Sequence, residues 1–176
     1  MDLITLEEYK TYKNIKNPEK DDVLSAIISS VSNLIKVYCG RSFIDHFSTP
    51  KVQKFTVKKG RNALILDETP VIDITAVDSA GVSILDDVTV DSTLGIVNKD
   101  IGHFTEGTDV ITVLYTGGFE ETPSDIKLAC FELVDYYYNS EHKAKKSFGG
   151  TSIEYQATVD EWPFHIQGIL DMYRDL

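Results

Sequence analysis

Basic side chains are scarce in this sequence. Lys and Arg total 17 against 28 Asp and Glu, a formal net charge of −11. Phosphate binding needs clustered cations, so wrapping nucleic acid is not expected as the main task, although the chain can sit beside DNA without gripping it. Cysteine is nearly absent. Cys39 and Cys130 are far apart, fit no C-x-x-C spacing, and each falls inside an apolar helical pattern. Reduced, buried thiols are expected, with no disulfide framework and no zinc site. No stretch approaches the roughly 18 consecutive apolar residues of a membrane span. Met1-Asp2-Leu3-Ile4-Thr5 has no basic region followed by an apolar run, so no secretory leader is expected and the chain should be made and kept in a cytoplasm.

Catalytic signatures are missing as well. The sequence has no G-x-S-x-G, no P-loop, and no G-x-G-x-x-G after a strand. His46, His103, His142 and His165 share no helical spacing, so neither a metal nor a cofactor is expected. The pairs Gly117-Gly118 and Gly149-Gly150 lack the context of a phosphate cradle and read as turns. Asp21-Asp22, Asp86-Asp87, Glu120-Glu121 and Asp160-Glu161 match no calcium loop and read as solvated faces and helix starts.

What is present is an ordinary globular chain of 176 residues, 42% hydrophobic and 26% charged, enough to bury a core. Thr5-Leu6-Glu7-Glu8 is a capping box that opens a short helix over 5–14. Asn17-Pro18 restarts the chain into a helix over 18–39, where Leu24, Ile27, Ile28, Val31, Leu34, Ile35 and Tyr38 form one stripe and Gly40 supplies the stop. From about 52 to 116 the period changes to short β-branched runs parted by Gly, Asp, Asn and Pro. These are spaced too closely for crossover helices, which predicts an antiparallel sheet. Thr122-Pro123-Ser124-Asp125 is read as a Thr-capped start to a helix over 123–139. A charged, glycine-ended linker over 142–150 follows, then an extended piece, Ser152-Ile153-Glu154-Tyr155, and a last helix from Pro163. The expected architecture is α+β: a small helical bundle with an inserted antiparallel β region and a detached C-terminal helix. Its domains would be 1–147 and a C-terminal extension over 148–176.

Some surfaces stay open to two readings. Lys51, Lys54, Lys58, Lys59 and Arg61 read either as a charged strand edge or as a patch for an acidic neighbour. Tyr136-Tyr137-Tyr138 is either a broad core face or a protein contact, and Trp162 is either a local anchor or an interface hot spot. The stripe Ile166, Ile169, Leu170, Tyr173 must dock somewhere, on its own domain or on a partner.

Taken in order, several motifs resemble the head–tail connector family of tailed bacteriophages, also called adaptor or head-completion proteins. They are Ile4-Thr5-Leu6-Glu7-Glu8-Tyr9-Lys10, then Tyr38-Cys39-Gly40-Arg41, then Pro70-Val71-Ile72-Asp73-Ile74-Thr75-Ala76-Val77. Leu114-Tyr115-Thr116-Gly117-Gly118-Phe119 followed by Pro123-Ser124-Asp125-Ile126-Lys127 is the most specific stretch; the region from about 82 to 104 is longer than the resemblance leads one to expect. The resemblance implies a structural, non-enzymatic virion protein of the capsid vertex or neck. Identical subunits, twelve by the portal's symmetry, would form a ring beneath the portal protein. That ring would extend the DNA channel, let DNA pass without specific binding, and receive the next neck or tail protein, with no membrane involved. Under it, Trp162, Ile166, Ile169, Leu170 and Tyr173 would anchor the last helix on portal or on an adjacent subunit, and Asp86, Asp87 and Asp91 would face the channel. The alternatives are another neck or tail-completion subunit that contacts the tail tube, and an enzyme whose site no motif announces.

Overall fold

The computed structural model describes residues 1–139, 145–148, 151–154 and 162–174. Residues 142–144 and 149–150 of the expected linker, Tyr155, and the pair Asp160-Glu161 lie outside them. The chain divides into a helical unit, 1–40 with 122–176, and a β unit, 41–121.

The helical unit holds α1 (Leu6–Lys13), α2 (Asp21–Cys39), α3 (Ser124–Tyr138) and α4 (Phe164–Asp171), with a hairpin of β8 (Lys145–Phe148) and β9 (Thr151–Glu154). The capping box forms as expected: Glu8 N–H donates to Thr5 Oγ1 at 3.2 Å, and Thr5 N–H donates to Glu8 Oε2 at 2.7 Å. α2 starts at Asp21 instead of Pro18. Asn17 Oδ1 accepts from Glu19 N–H and Pro18 O from Asp21 N–H, so the dipeptide makes a turn of its own before the helix begins. α3 likewise lacks the expected Thr cap: Pro123 holds the cap position with no side-chain bond, and Thr122 is buried.

Leu24, Ile28, Val31 and Ile35 of α2 and Ile126, Ala129, Leu133 and Val134 of α3 are buried. Around this core, Tyr9 Oη donates to Asp135 at 2.8 Å, Lys13 pairs with the same carboxylate, and Lys127 pairs with Glu8 at 2.8 Å. Cys39 and Cys130 are buried and in no disulfide, and burial pushes the Cys130 thiol up to about 12. α4 lies against α3 and α2, with Ile166 and Leu170 buried. Each such side chain stabilises by about 1.5–3 kcal/mol.

The β unit is antiparallel throughout. β1 (Lys51–Val57), β3 (Val71–Ser79), β4 (Val82–Ser83) and β7 (Gly107–Gly117) form one sheet in the order β1-β7-β3-β4. β2 (Ala63–Ile65), β5 (Val88–Asp91) and β6 (Ile96–Lys99) form a second in the order β2-β6-β5, so the region from 82 to 104 builds most of a sheet of its own. Alternate residues of β7, Ile111, Val113 and Tyr115, face a core that includes Leu64, Leu66, Val77, Val97 and Phe104. A polar network caps one edge. The Glu68 carboxylate accepts from Ser42 N–H and Lys51, while Tyr115 Oη donates to Gln53 at 2.7 Å. Burial alone would lower the Lys51 pKa, but Asp67 and Glu68 outweigh it and the ammonium is held above its usual range.

The glycine pair closes this unit. Gly117 N–H donates to His46 O, Gly118 N–H to Pro70 O and Phe119 N–H to Phe43 O. A Cβ on Gly118 would stand 2.2 Å from Phe43 O, and φ there is +92°, so only glycine fits.

Candidate assembly surfaces

The expected anchors of α4 are mostly spent on their own unit. Trp162 Nε1 donates to Tyr137 Oη at 3.1 Å, and its ring lies 5.0 Å from that of Tyr38. Tyr173 Oη donates to the Asp125 carboxylate at 2.8 Å. Ile166 and Leu170 are buried, whereas Trp162, Ile169 and Tyr173 keep partly exposed sides. The opposite face of α4 carries Phe164, 87% exposed, and Met172, 68% exposed, with Gly168 between them. These residues fall outside the stripe of Ile166, Ile169, Leu170 and Tyr173. Their i, i+4, i+8 spacing was the available signal.

α2 is apolar on two faces, so its length and composition match those of a membrane span as well as those of a core helix. One face is core. The other carries Val23, Ala26, Ile27, Leu34 and Val37, with Val23 54% and Val37 72% exposed. Val23, Ala26, Ile27 and Leu34 line a groove of about 530 Å³ together with Asp22 and Tyr137. Of the tyrosine triplet, Tyr137 is shared between this groove and Trp162, while Tyr138 lies beneath the Lys20 ammonium.

The acidic loop is brought together only in part. Asp86 and Asp87 lie in a single 3-10 turn (Leu85–Asp87) and share a shallow depression with Asp100 and Lys99, whose ammonium pairs with Asp87 at 2.9 Å. Asp91 is at the other end of β5, where its carboxylate accepts from Thr93 and Leu94 N–H and holds the turn. The basic residues divide as well. Lys51 belongs to the Glu68 network, while Lys54, Lys58, Lys59 and Arg61 are exposed on and beyond β1. His46 bonds Thr49 O, His165 lies 3.3 Å from Glu132, and His103 is exposed. Among the described residues no three His, Cys, Asp or Glu gather in a way that could hold a metal ion.

The family model described as "Head completion protein" matches residues 2–176. The chain belongs to the head completion protein family. A relative described as "Head completion protein" of Escherichia phage T5 is 26% identical over 178 residues, covering 99% of each chain. A chain from the neck of an empty gene transfer agent particle, computed with C6 symmetry, has a TM-score of 0.63 at 17% identity, covering 99% of this chain and 90% of that one. A chain from the neck of the native particle, computed with C12 symmetry, has a TM-score of 0.60 at 15% identity, covering 100% and 94%. These structures share the fold from end to end. Within the stretch Leu114 to Phe119, Tyr115 and both glycines are buried in the β unit.

Proposed function

We propose that this member of the head completion protein family is a structural subunit of the virion neck, working by assembly and not by catalysis. Identical copies form a ring bound to the portal at the capsid vertex, twelve in number. The ring extends the DNA channel and receives the next neck or tail protein. The observation that carries this reading is the match of the head completion family over residues 2–176, with end-to-end fold similarity to chains from gene transfer agent necks computed with C6 and C12 symmetry. Surfaces suited to assembly fit it: apolar side chains stand exposed on α2 and α4, while the buried carboxylate and tyrosines are tied into structural networks.

In this reading the partly exposed sides of Trp162, Ile169 and Tyr173 meet portal or a ring neighbour, with Ile166 and Leu170 holding α4 in place beneath them. Asp86 and Asp87 line the channel, where carboxylates repel phosphate and let duplex slide. Like-charged copies repel, so the isolated protein is monomeric or weakly oligomeric and closes its ring on a template. The test is electron microscopy of the protein mixed with its portal. Twelve-fold rings seated on portal are expected. Co-purification with a tail-tube protein and absence from portal would overturn the reading.

A further inference from the structure

Two apolar surfaces of the helical unit are left uncovered by the described residues, and their row spacings match. On α4, Phe164, Gly168 and Met172 form one row at four-residue spacing. On α2, Val23-Ile27 and Ala26-Ser30-Leu34 form two adjacent rows at the same spacing, and both rows line the groove of about 530 Å³ together with Tyr137 of α3. A ridge of four-spaced residues seated between two four-spaced rows is the commonest way two helices pack.

Gly168 is a second, independent pointer. A glycine inside a helix costs about 0.5–1 kcal/mol relative to alanine. Here a Cβ would meet nothing within 4 Å, and the backbone has no left-handed twist that calls for glycine. No described residue occupies the space of the missing side chain. Between Phe164 and Met172 it leaves a notch into which another helix can settle closely.

We propose that the exposed ridge of α4 packs into the α2 groove of a second copy of this chain, forming the repeating contact of the ring. The occupant is another copy because ridge and groove are different faces of one molecule. A contact of that kind is head-to-tail, and each added copy presents a fresh groove until the rotation closes. Charge agrees with it: Asp22 is among the residues that line the groove, and the first turn of α4 has no carboxylate of its own against the helix dipole. Size agrees as well. α4 has eight residues, about 12 Å of helix, too short to bury the roughly 800 Å² per partner of a stable pair. The contact therefore holds when copies are already gathered and releases in dilute solution.

The proposal rests on the ring reading, and the test separates the two. Full-length Ala26→Cys and Met172→Cys proteins are mixed with portal and treated with a short bismaleimide, to which the buried Cys39 and Cys130 do not respond. Cross-linked dimers are expected from the mixture, and a ladder of higher species from the chain bearing both substitutions. The yield should fall to background when Ser25→Cys, exposed but turned away from the groove, replaces Ala26→Cys. In parallel, Gly168→Leu should leave the melting of the free protein unchanged or raised, since leucine favours helix, while rings on portal are lost. Rings that form without the cross-link, or that survive Gly168→Leu, overturn the contact and leave the ring reading standing. Dimers from Ala26→Cys alone overturn it too, since they report a symmetric contact. If the unsubstituted protein forms no ring on portal, the ring reading fails and the contact falls with it.

Discussion

Replacing Leu170 by alanine tests whether α4 belongs to the core of the helical unit. Leu170 is fully buried, its carbonyl accepts from Cys39 Sγ–H, and its helix lies against α3 and α2. Truncating a buried leucine removes transfer free energy and leaves a cavity, for a loss of about 2–5 kcal/mol. The single tryptophan, Trp162, precedes α4 and bonds Tyr137 of α3, so its fluorescence reports on this unit separately from the β unit. With a urea slope of roughly 1–3 kcal/mol/M, the midpoint should fall by about 0.7 M or more. Phe164→Ala on the same helix removes a side chain that is 87% exposed and should change stability by less than about 0.5 kcal/mol. A loss below about 1 kcal/mol for Leu170→Ala, or equal effects of the two substitutions, would refute the claim that the Ile166–Leu170 face is core.

Stability should decline above pH 9. Burial raises the Cys130 thiol from 9.0 to about 12 and the Tyr115 hydroxyl from 10.0 to about 12. Both folded groups hold their protons more tightly than the unfolded chain does, so their contribution is complete below pH 9 and lost by pH 12. Together they are worth several kcal/mol, and denaturant midpoints measured from pH 8 to 11 that stay flat would contradict this. Gly118→Ala would bring its Cβ to 2.2 Å from Phe43 O at a positive φ, so a loss above about 2 kcal/mol is expected, with failure to accumulate soluble protein as the extreme. A wild-type melting temperature in that variant would show that the crossing relaxes freely. Duplex DNA should bind the isolated protein weakly, given its net charge of −11; tight binding with a steep salt dependence, measured by anisotropy, would overturn the sliding-channel assignment.

Local signals were the readable part of this sequence. The Thr5–Glu8 box, the stop at Gly40 and the α4 start at Pro163 depend on a few consecutive residues, and the structure has all three. Helix starts failed where a competing local bond existed, as at Asn17-Pro18, whose own turn delays α2 to Asp21. Strand pairing was not legible because β7 pairs with β1 and β3, from which it is separated by long stretches of chain, and no single-strand pattern encodes such partners. At the candidate surfaces, apolar periodicity located α4's buried stripe but could not say which apolar residues remain outside. Phe164 and Met172 look like core residues in the sequence and become surface only once Ile166 and Leu170 have taken the inward face.

The hydrogen bond from Phe119 N–H to Phe43 O has a consequence for how this sequence can change over time. It ties the first residues of the β unit to its last ones, so the segment between them is a closed loop pinned at its neck. Lengthening a pinned loop costs only about 0.6 kcal/mol per doubling, and the change is not transmitted past the pin. Turns such as the one held by Asp91 can therefore gain or lose residues while the helices that begin and end the chain keep their register. Gly118 is the residue that cannot drift, because the pin closes only where no side chain stands in the way.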